Sequence, residues 1–354
     1  MQIEKILQAA RKAAASDIHL IAGLPPAFRV DGEIIVCNQE PLSREETGDL
    51  TYQLLSPEQR QVFEREREIC VSVWGTSAGR IRVTAYMRTG VPEASIRLCN
   101  LEIPTAAELG LPQAIDDLTR RSNGLVLVTG ATGVGKTTTL NYMVDVINRN
   151  NRCKIVTIED PIEYVHTPRR AIIVQQEVHT DTSSYARALI HVLRQDPDVI
   201  VIGEMREPAT IETALTAAET GHLVLATLHT PNVEQTVERI VGVFPNSSHN
   251  QILVQLAGCL QAIVGQLLLP RAGKPGRVLA TEVLFANTAV RNIIREGNLH
   301  LLPSAMQTGA RDGMRTLDAT LLELYETGEI TWDTALNHAR SPEFLQRRKA
   351  RPEG

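Results

Sequence analysis

Residues 124–138, Gly-Leu-Val-Leu-Val-Thr-Gly-Ala-Thr-Gly-Val-Gly-Lys-Thr-Thr, constrain this chain more than any other stretch. A short apolar run leads into Gly130-Ala131-Thr132-Gly133-Val134-Gly135-Lys136-Thr137, and the segment beyond, TTLNYMVDVIN, has helical spacing. The pattern is GxxxxGK[ST] set between a strand and a helix, the context in which it cradles phosphate rather than forming a chance glycine turn. Glycines let successive backbone N–H groups wrap an anion, and the helix N-terminus adds its partial positive charge. Lys136 then reaches the β- and γ-phosphates of ATP, the Thr137 hydroxyl ligates Mg²⁺, and Thr138 completes the junction with the helix.

A phosphate loop of this kind belongs to a parallel sheet, and the surrounding sequence supplies one. The runs 153–159, 171–176, 198–204 and 222–229 are continuously apolar and separated by helical stretches, as expected of central strands covered on both faces. Residues 1–100 read differently. An amphipathic helix over 3–14 precedes short alternating runs with turns between them, and a charged helix enters at Pro57, which together predict a small α+β domain. The proline-bearing stretch 101–112 is the expected linker, 113–270 the ATPase core, and 271–354 a helical C-terminal region ending in a basic tail, 346–354.

Catalysis at a phosphate loop needs carboxylates at neighbouring strand ends. Glu204 closes the run DVIVIGE and suits a Mg²⁺–water contact or the attacking water, although pairing with Arg206 is the plainer alternative. Glu159, Asp160 and Glu163 gather around Pro161, where solvated loop acids are equally compatible. His222 and His229 bracket the run LVLATL; each is either a structural histidine or, if its strand end lies at the nucleotide, a sensor of the γ-phosphate. Arg80 and Arg82 alternate along one strand, with Arg88 and Arg97 nearby. They form either a solvated strand face or cations supplied in trans to a transferring phosphoryl group.

Composition removes other classes. Lys plus Arg number 36 against 41 Asp plus Glu, a net charge of −5, and five Phe, two Trp and six Tyr offer little for base stacking, so nucleic acid is not the expected partner. No stretch approaches ~18 uninterrupted apolar residues, which predicts a soluble protein, and an odd number of widely spaced cysteines predicts a reducing, cytoplasmic compartment. The cysteines at 37, 70, 99, 153 and 259 form no CxxC pair, so scattered thiols are expected and a protein-ligated metal has no sequence support.

Several blocks taken together resemble one family, the secretion ATPases of type II secretion and type IV pilus systems, in particular the PilT-type retraction motors. They are Ala15-Ser16-Asp17-Ile18-His19-Leu20, the phosphate loop, the acidic box 157–163, LRQDPDVIVIGEMRE (193–207), AAETGHLVLATLHT (217–230) and Ala289-Val290-Arg291-Asn292-Ile293-Ile294-Arg295-Glu296. The resemblance implies an α/β fold with a PAS-like N-terminal domain, a RecA-like P-loop core and a helical C-terminal segment. It implies a homohexameric, ATP-hydrolysing motor that withdraws a pilus by acting on a platform protein at the cytoplasmic face of the inner membrane. Glu163 and Glu204 carry over as the functional acids, either of which could be the general base, with Glu204 preferred. Arg80, Arg82 and Arg97 carry over as phosphate-reaching arginines, and His222 and His229 as the box histidines. Assembly and type II secretion ATPases are the nearest alternatives, though many carry a four-cysteine insertion that is lacking here. A nucleic-acid translocase on the same core is more distant.

Overall fold

The computed structural model describes residues 2–30, 32–99 and 102–349. By its contacts the chain divides into two units, Met1–Glu102 with Glu163–Val165, and Ile103–Ile162 with His166–Gly354. The first residue of the expected linker, Leu101, and the last five of the expected basic tail, 350–354, lie outside the described residues. Residues 346–349 of that tail close a helix, Pro342–Lys349.

In the first unit the amphipathic helix forms over Ile3–Lys12 and buries Ile3, Ile6, Leu7 and Ala10, the stripe its spacing defines. Six strands follow: β1 (Asp17–Leu20), β2 (Ala27–Val30), β3 (Glu33–Val36), β4 (Glu68–Thr76), β5 (Gly79–Arg88) and β6 (Val91–Leu98). They make one antiparallel sheet in the order β3-β2-β1-β6-β5-β4. Ile18, Leu20, Ile81, Val83, Ala94 and Ile96 point to one face and pack with Leu7, Leu50 and Leu54 from the helices. Those helices include Arg44–Gln53, whose weak apolar periodicity gives no expectation of a helix, and which opens with a capping box between Ser43 and Glu46. The other face is polar, because alternation sends every second residue there.

The second unit holds a seven-stranded sheet. Its strands are β7 (Gly124–Thr129), β8 (Lys154–Glu159), β9 (Ile172–Glu177), β10 (Val199–Ile202), β11 (Leu223–Leu228), β12 (Leu260–Pro270) and β13 (Arg277–Phe285), in the order β13-β12-β7-β11-β10-β8-β9. All neighbours are parallel except β12 and β13. Leu125 and Leu127 feed the core on one face and Val126 and Val128 the core on the other, so continuous apolarity reflects double coverage. Two expectations need correction. The run at 171–176 is not central: β9 is an edge, and Ile172 stays exposed. The sheet also does not end at residue 270, since β13 extends it by hairpin pairing with β12 before the helices begin at Thr288. Among the described residues no helix is long and apolar enough to cross a membrane.

Candidate functional site

The phosphate loop lies at the carboxyl end of β7, between that strand and the helix Lys136–Asn150. Gly130, Gly133 and Gly135 all adopt positive φ. At Gly130 no larger residue fits: a Cβ would stand 2.4 Å from the carbonyl oxygen of Gln266 on β12. Ala131, Thr132 and Gly133 form the exposed crest, while Val134 is tucked into the core.

Lys136 is buried and donates to the carbonyl oxygens of Gly130 and Ala131 at 2.9 and 2.8 Å. Burial pushes its pKa down, and the charge of Glu204 partly offsets the shift. Its Nζ also lies 3.3 Å from His229 Nδ1, and Thr132 Oγ1 lies 3.2 Å from the same nitrogen. An ammonium can only donate, so Nδ1 accepts and Nε2 carries the ring hydrogen. That nitrogen is 3.3 Å from Glu204 Oε1. Burial and the Lys136 charge lower the His229 pKa, which keeps the ring neutral. Lys136, Thr132, His229 and Glu204 therefore form one connected group.

Glu204 follows the end of β10, which is flanked by β8 and β11, and Arg206 pairs with its carboxylate. The ion pair with Arg206 leaves Glu204 within reach of His229, inside the connected group. Thr227 Oγ1 donates to Gly203 O at 2.5 Å and Met205 N to Thr227 O at 3.0 Å, fixing the turn. Tyr185, not singled out by sequence, lies over Gly203, where a Cβ would stand 2.9 Å from its hydroxyl. Burial raises the Tyr185 pKa, and the charges of Asp160, Glu204 and Glu159 raise it further. A cleft of about 800 Å³ opens beside the group, lined by Thr132, Glu204, Arg206, His229, Gln235 and Arg239.

His222 does not join this group. β7 and β11 run parallel in register from Leu223↔Gly124 to Leu228↔Thr129. The two histidines therefore occupy opposite ends of one strand, roughly 20 Å apart at ~3.3 Å per residue. His222 Nδ1 instead lies 2.9 Å from Ala217 O and 3.3 Å from Thr220 Oγ1, a local structural arrangement.

The arginines lie on the polar face of the first unit's sheet. Cross-strand pairing sets Ser72, Arg82, Arg97, Asp17 and Arg29 in a row across β4, β5, β6, β1 and β2. Arg97 Nε donates to Asp17 Oδ1 at 3.0 Å, and Arg82 Nε lies 3.1 Å from Cys70 Sγ. Arg80 is buried, stacked 4.3 Å over the Trp74 ring and bonded to Ser72 Oγ at 3.0 Å. Arg88 holds Glu93 in a bidentate pair and is structural. Glu163 groups with this unit by its contacts and is exposed; crowding by nearby protein atoms raises its pKa, against the pull of Arg97 and Arg82. All five cysteines are free thiols.

Residues 1–284 match the family described as type II/IV secretion system protein. The type IV pilus retraction ATPase PilT of Pseudomonas aeruginosa is 41% identical over 97% of this chain and 99% of its own length. A twitching motility protein of Neisseria gonorrhoeae is 41% identical over 92% of this chain and 87% of its own. A crystal structure of the pilus retraction motor PilT with bound ADP superimposes with a TM-score of 0.92 at 43% identity, covering 98% of this chain and 99% of that one. The RecA-like core behind a separate N-terminal domain is thereby shown.

Proposed function

Because the chain belongs to the type II/IV secretion system protein family, and within it to the PilT-type pilus-retraction ATPases, we propose that it cleaves Mg²⁺-ATP in a homohexameric ring and thereby drives withdrawal of a type IV pilus. The observation that carries the reading is the convergence of Lys136, Thr132, His229 and Glu204 at one end of a parallel sheet.

Each residue has work to do there. Backbone N–H groups of Gly130–Gly135 and the helix N-terminus hold the phosphates, and Lys136 exchanges its loop carbonyls for β- and γ-oxygens. Thr137 would be the protein's hydroxyl ligand for Mg²⁺. Among the described residues no group of three or more His, Cys, Asp or Glu could cage a metal. The Thr137 hydroxyl and the Glu204 carboxylate are hard oxygen donors, which suit Mg²⁺ held together with phosphate oxygens and water. When bound, Mg²⁺ draws charge from the phosphate oxygens. Glu204, oriented by Arg206 and His229, accepts the proton of the attacking water, and Glu163 is the second acid. His229 senses the γ-phosphate because its hydrogen-bond partner Lys136 moves when that phosphate arrives. Arg82 and Arg97 serve a neighbouring subunit's site, stabilising charge on the departing phosphoryl group, while Arg80, buried against Trp74 and Ser72, supports the strand that carries Arg82. The ring acts on a platform protein at the cytoplasmic face of the inner membrane.

Lys136→Ala and Glu204→Gln test the site. Each is expected to lower turnover by about a hundredfold or more with unaltered thermal melting; near wild-type turnover in either overturns the assignment. Deleting the gene is expected to leave cells crowded with immobile pili, whereas bald cells would identify an assembly motor.

A further inference from the structure

Leu228, Thr129, Gly265 and Glu282 form one row across β11, β7, β12 and β13, at the end of the sheet that carries the phosphate loop. Glu282 is 2% exposed, an unusual place for a carboxylate. The sequence makes room for it: a Cβ at Gly265 would stand 2.6 Å from Glu282 Cγ and 2.7 Å from its Oε1.

Two donors meet at that Oε1. One is the backbone N–H of Val233 at 2.9 Å, the first residue of the helix Val233–Gly242. The other is Arg340 Nη2 at 2.7 Å, from the turn between the helices Trp332–His338 and Pro342–Lys349. Arg340 Nη2 also lies 3.4 Å from Pro231 O. The arginine is itself anchored, because its backbone N–H and that of Ser341 donate to the two oxygens of Asp318 at 2.8 and 3.0 Å. The chain held in this way is the turn directly after His229. Thr230 pairs with Thr236 at 2.7 Å, and Asn232 caps the helix through Gln235 N at 2.7 Å.

We propose that Arg340 is a positioning residue for His229, acting through Glu282 to fix the turn Thr230–Val233 and so tying the C-terminal helices to the nucleotide sensor. The proposal rests on the reading of His229 as that sensor. Stability alone does not explain the pair, since well-packed apolar residues of similar volume do as well as a buried ion pair or better. What the pair supplies is geometry. Its two donors come from the sensor turn and from the last helices, so neither can shift without the other.

The test uses the full-length protein, with turnover measured against ATP concentration and melting followed in parallel. Arg340→Met is expected to lower kcat by about tenfold, and Arg340→Lys to recover most of the loss. In a His229→Ala background the same Arg340→Met change is expected to cost less than about twofold, because the group it positions is gone. The double variant Arg340→Met/Glu282→Met removes the stranded carboxylate. It is expected to melt like the native protein yet remain slow. The proposal is overturned if Arg340→Met leaves kcat and KM unchanged, if it costs as much with His229 absent as present, or if the double variant turns over normally. Unaltered turnover in His229→Ala by itself removes the sensor reading, and the proposal with it.

Discussion

At Asn141 the phosphate-loop helix turns one side-chain amide in two directions. Nδ2 donates to Thr137 O at 2.9 Å, and Oδ1 lies 2.7 Å from His166 Nε2. The amide oxygen can only accept, so Nε2 carries the hydrogen of His166, while Nδ1 is buried without a hydrogen-bond partner among the described residues. Burial lowers the His166 pKa to about 4. The unfolded chain takes up this proton near pH 6.5 and the folded chain only near pH 4, so between those values the unfolded state binds more protons and stability falls as the pH falls. The contribution lost over that window is roughly 3 kcal/mol. Urea unfolding of His166→Gln across pH 4–7 is expected to show a shallower decline than the native protein. Parallel curves would mean that another group titrates. Nothing in the sequence marks His166, because its role depends on a partner 25 positions earlier in the chain.

The elements most legible from sequence are those whose pattern and burial share one cause. The run Leu125–Val128 is apolar because both faces are covered, and the glycines of the loop after it are required by backbone geometry. The structure brings Lys136, Glu204 and His229 together, each adjoining such a strand or loop. His222 lies apart from them because a six-residue strand has two ends, and only pairing register reveals which one faces the loop. β9 imitates a central strand because five consecutive positions are apolar or amide-bearing, although its outer side meets no further strand among those described. The helix Arg44–Gln53 did leave a signal, Ser43 followed three residues later by Glu46. Its weak amphipathic pattern hid it, since Thr47, Gly48 and Thr51 share its buried side with Leu50. Ser43 accepts from Glu46 N at 3.1 Å, and Glu46 accepts from Ser43 N at 2.9 Å. Ser43→Ala is expected to cost about 1 kcal/mol of stability while leaving turnover at saturating ATP unchanged. Differential scanning calorimetry and a steady-state assay check the two halves separately.

For the molecule as a whole, the assignment of Arg82 and Arg97 to a neighbouring subunit's site has a direct test. Mixed rings decide it. Subunits carrying Lys136→Ala lack a working loop but keep Arg82 and Arg97, and subunits carrying Arg82→Ala with Arg97→Ala keep the loop but lack the cations. Each population alone is expected to be inactive. If arginines act between subunits, mixing and reassembly restores measurable turnover, because an intact loop then meets an intact neighbour. If they act within one chain, the mixture stays as inactive as its parts.

β3 has a bearing on how such a protein is handled at the bench. It is the outermost strand of its sheet, all four of its residues are exposed, and Ile34, Ile35 and Val36 show bulky hydrocarbon to water without a proline or lysine to deter a visitor. Attraction between such surfaces weakens on cooling. Purified stocks should therefore keep best chilled and dilute, because warming a crowded tube strengthens the pull between such borders.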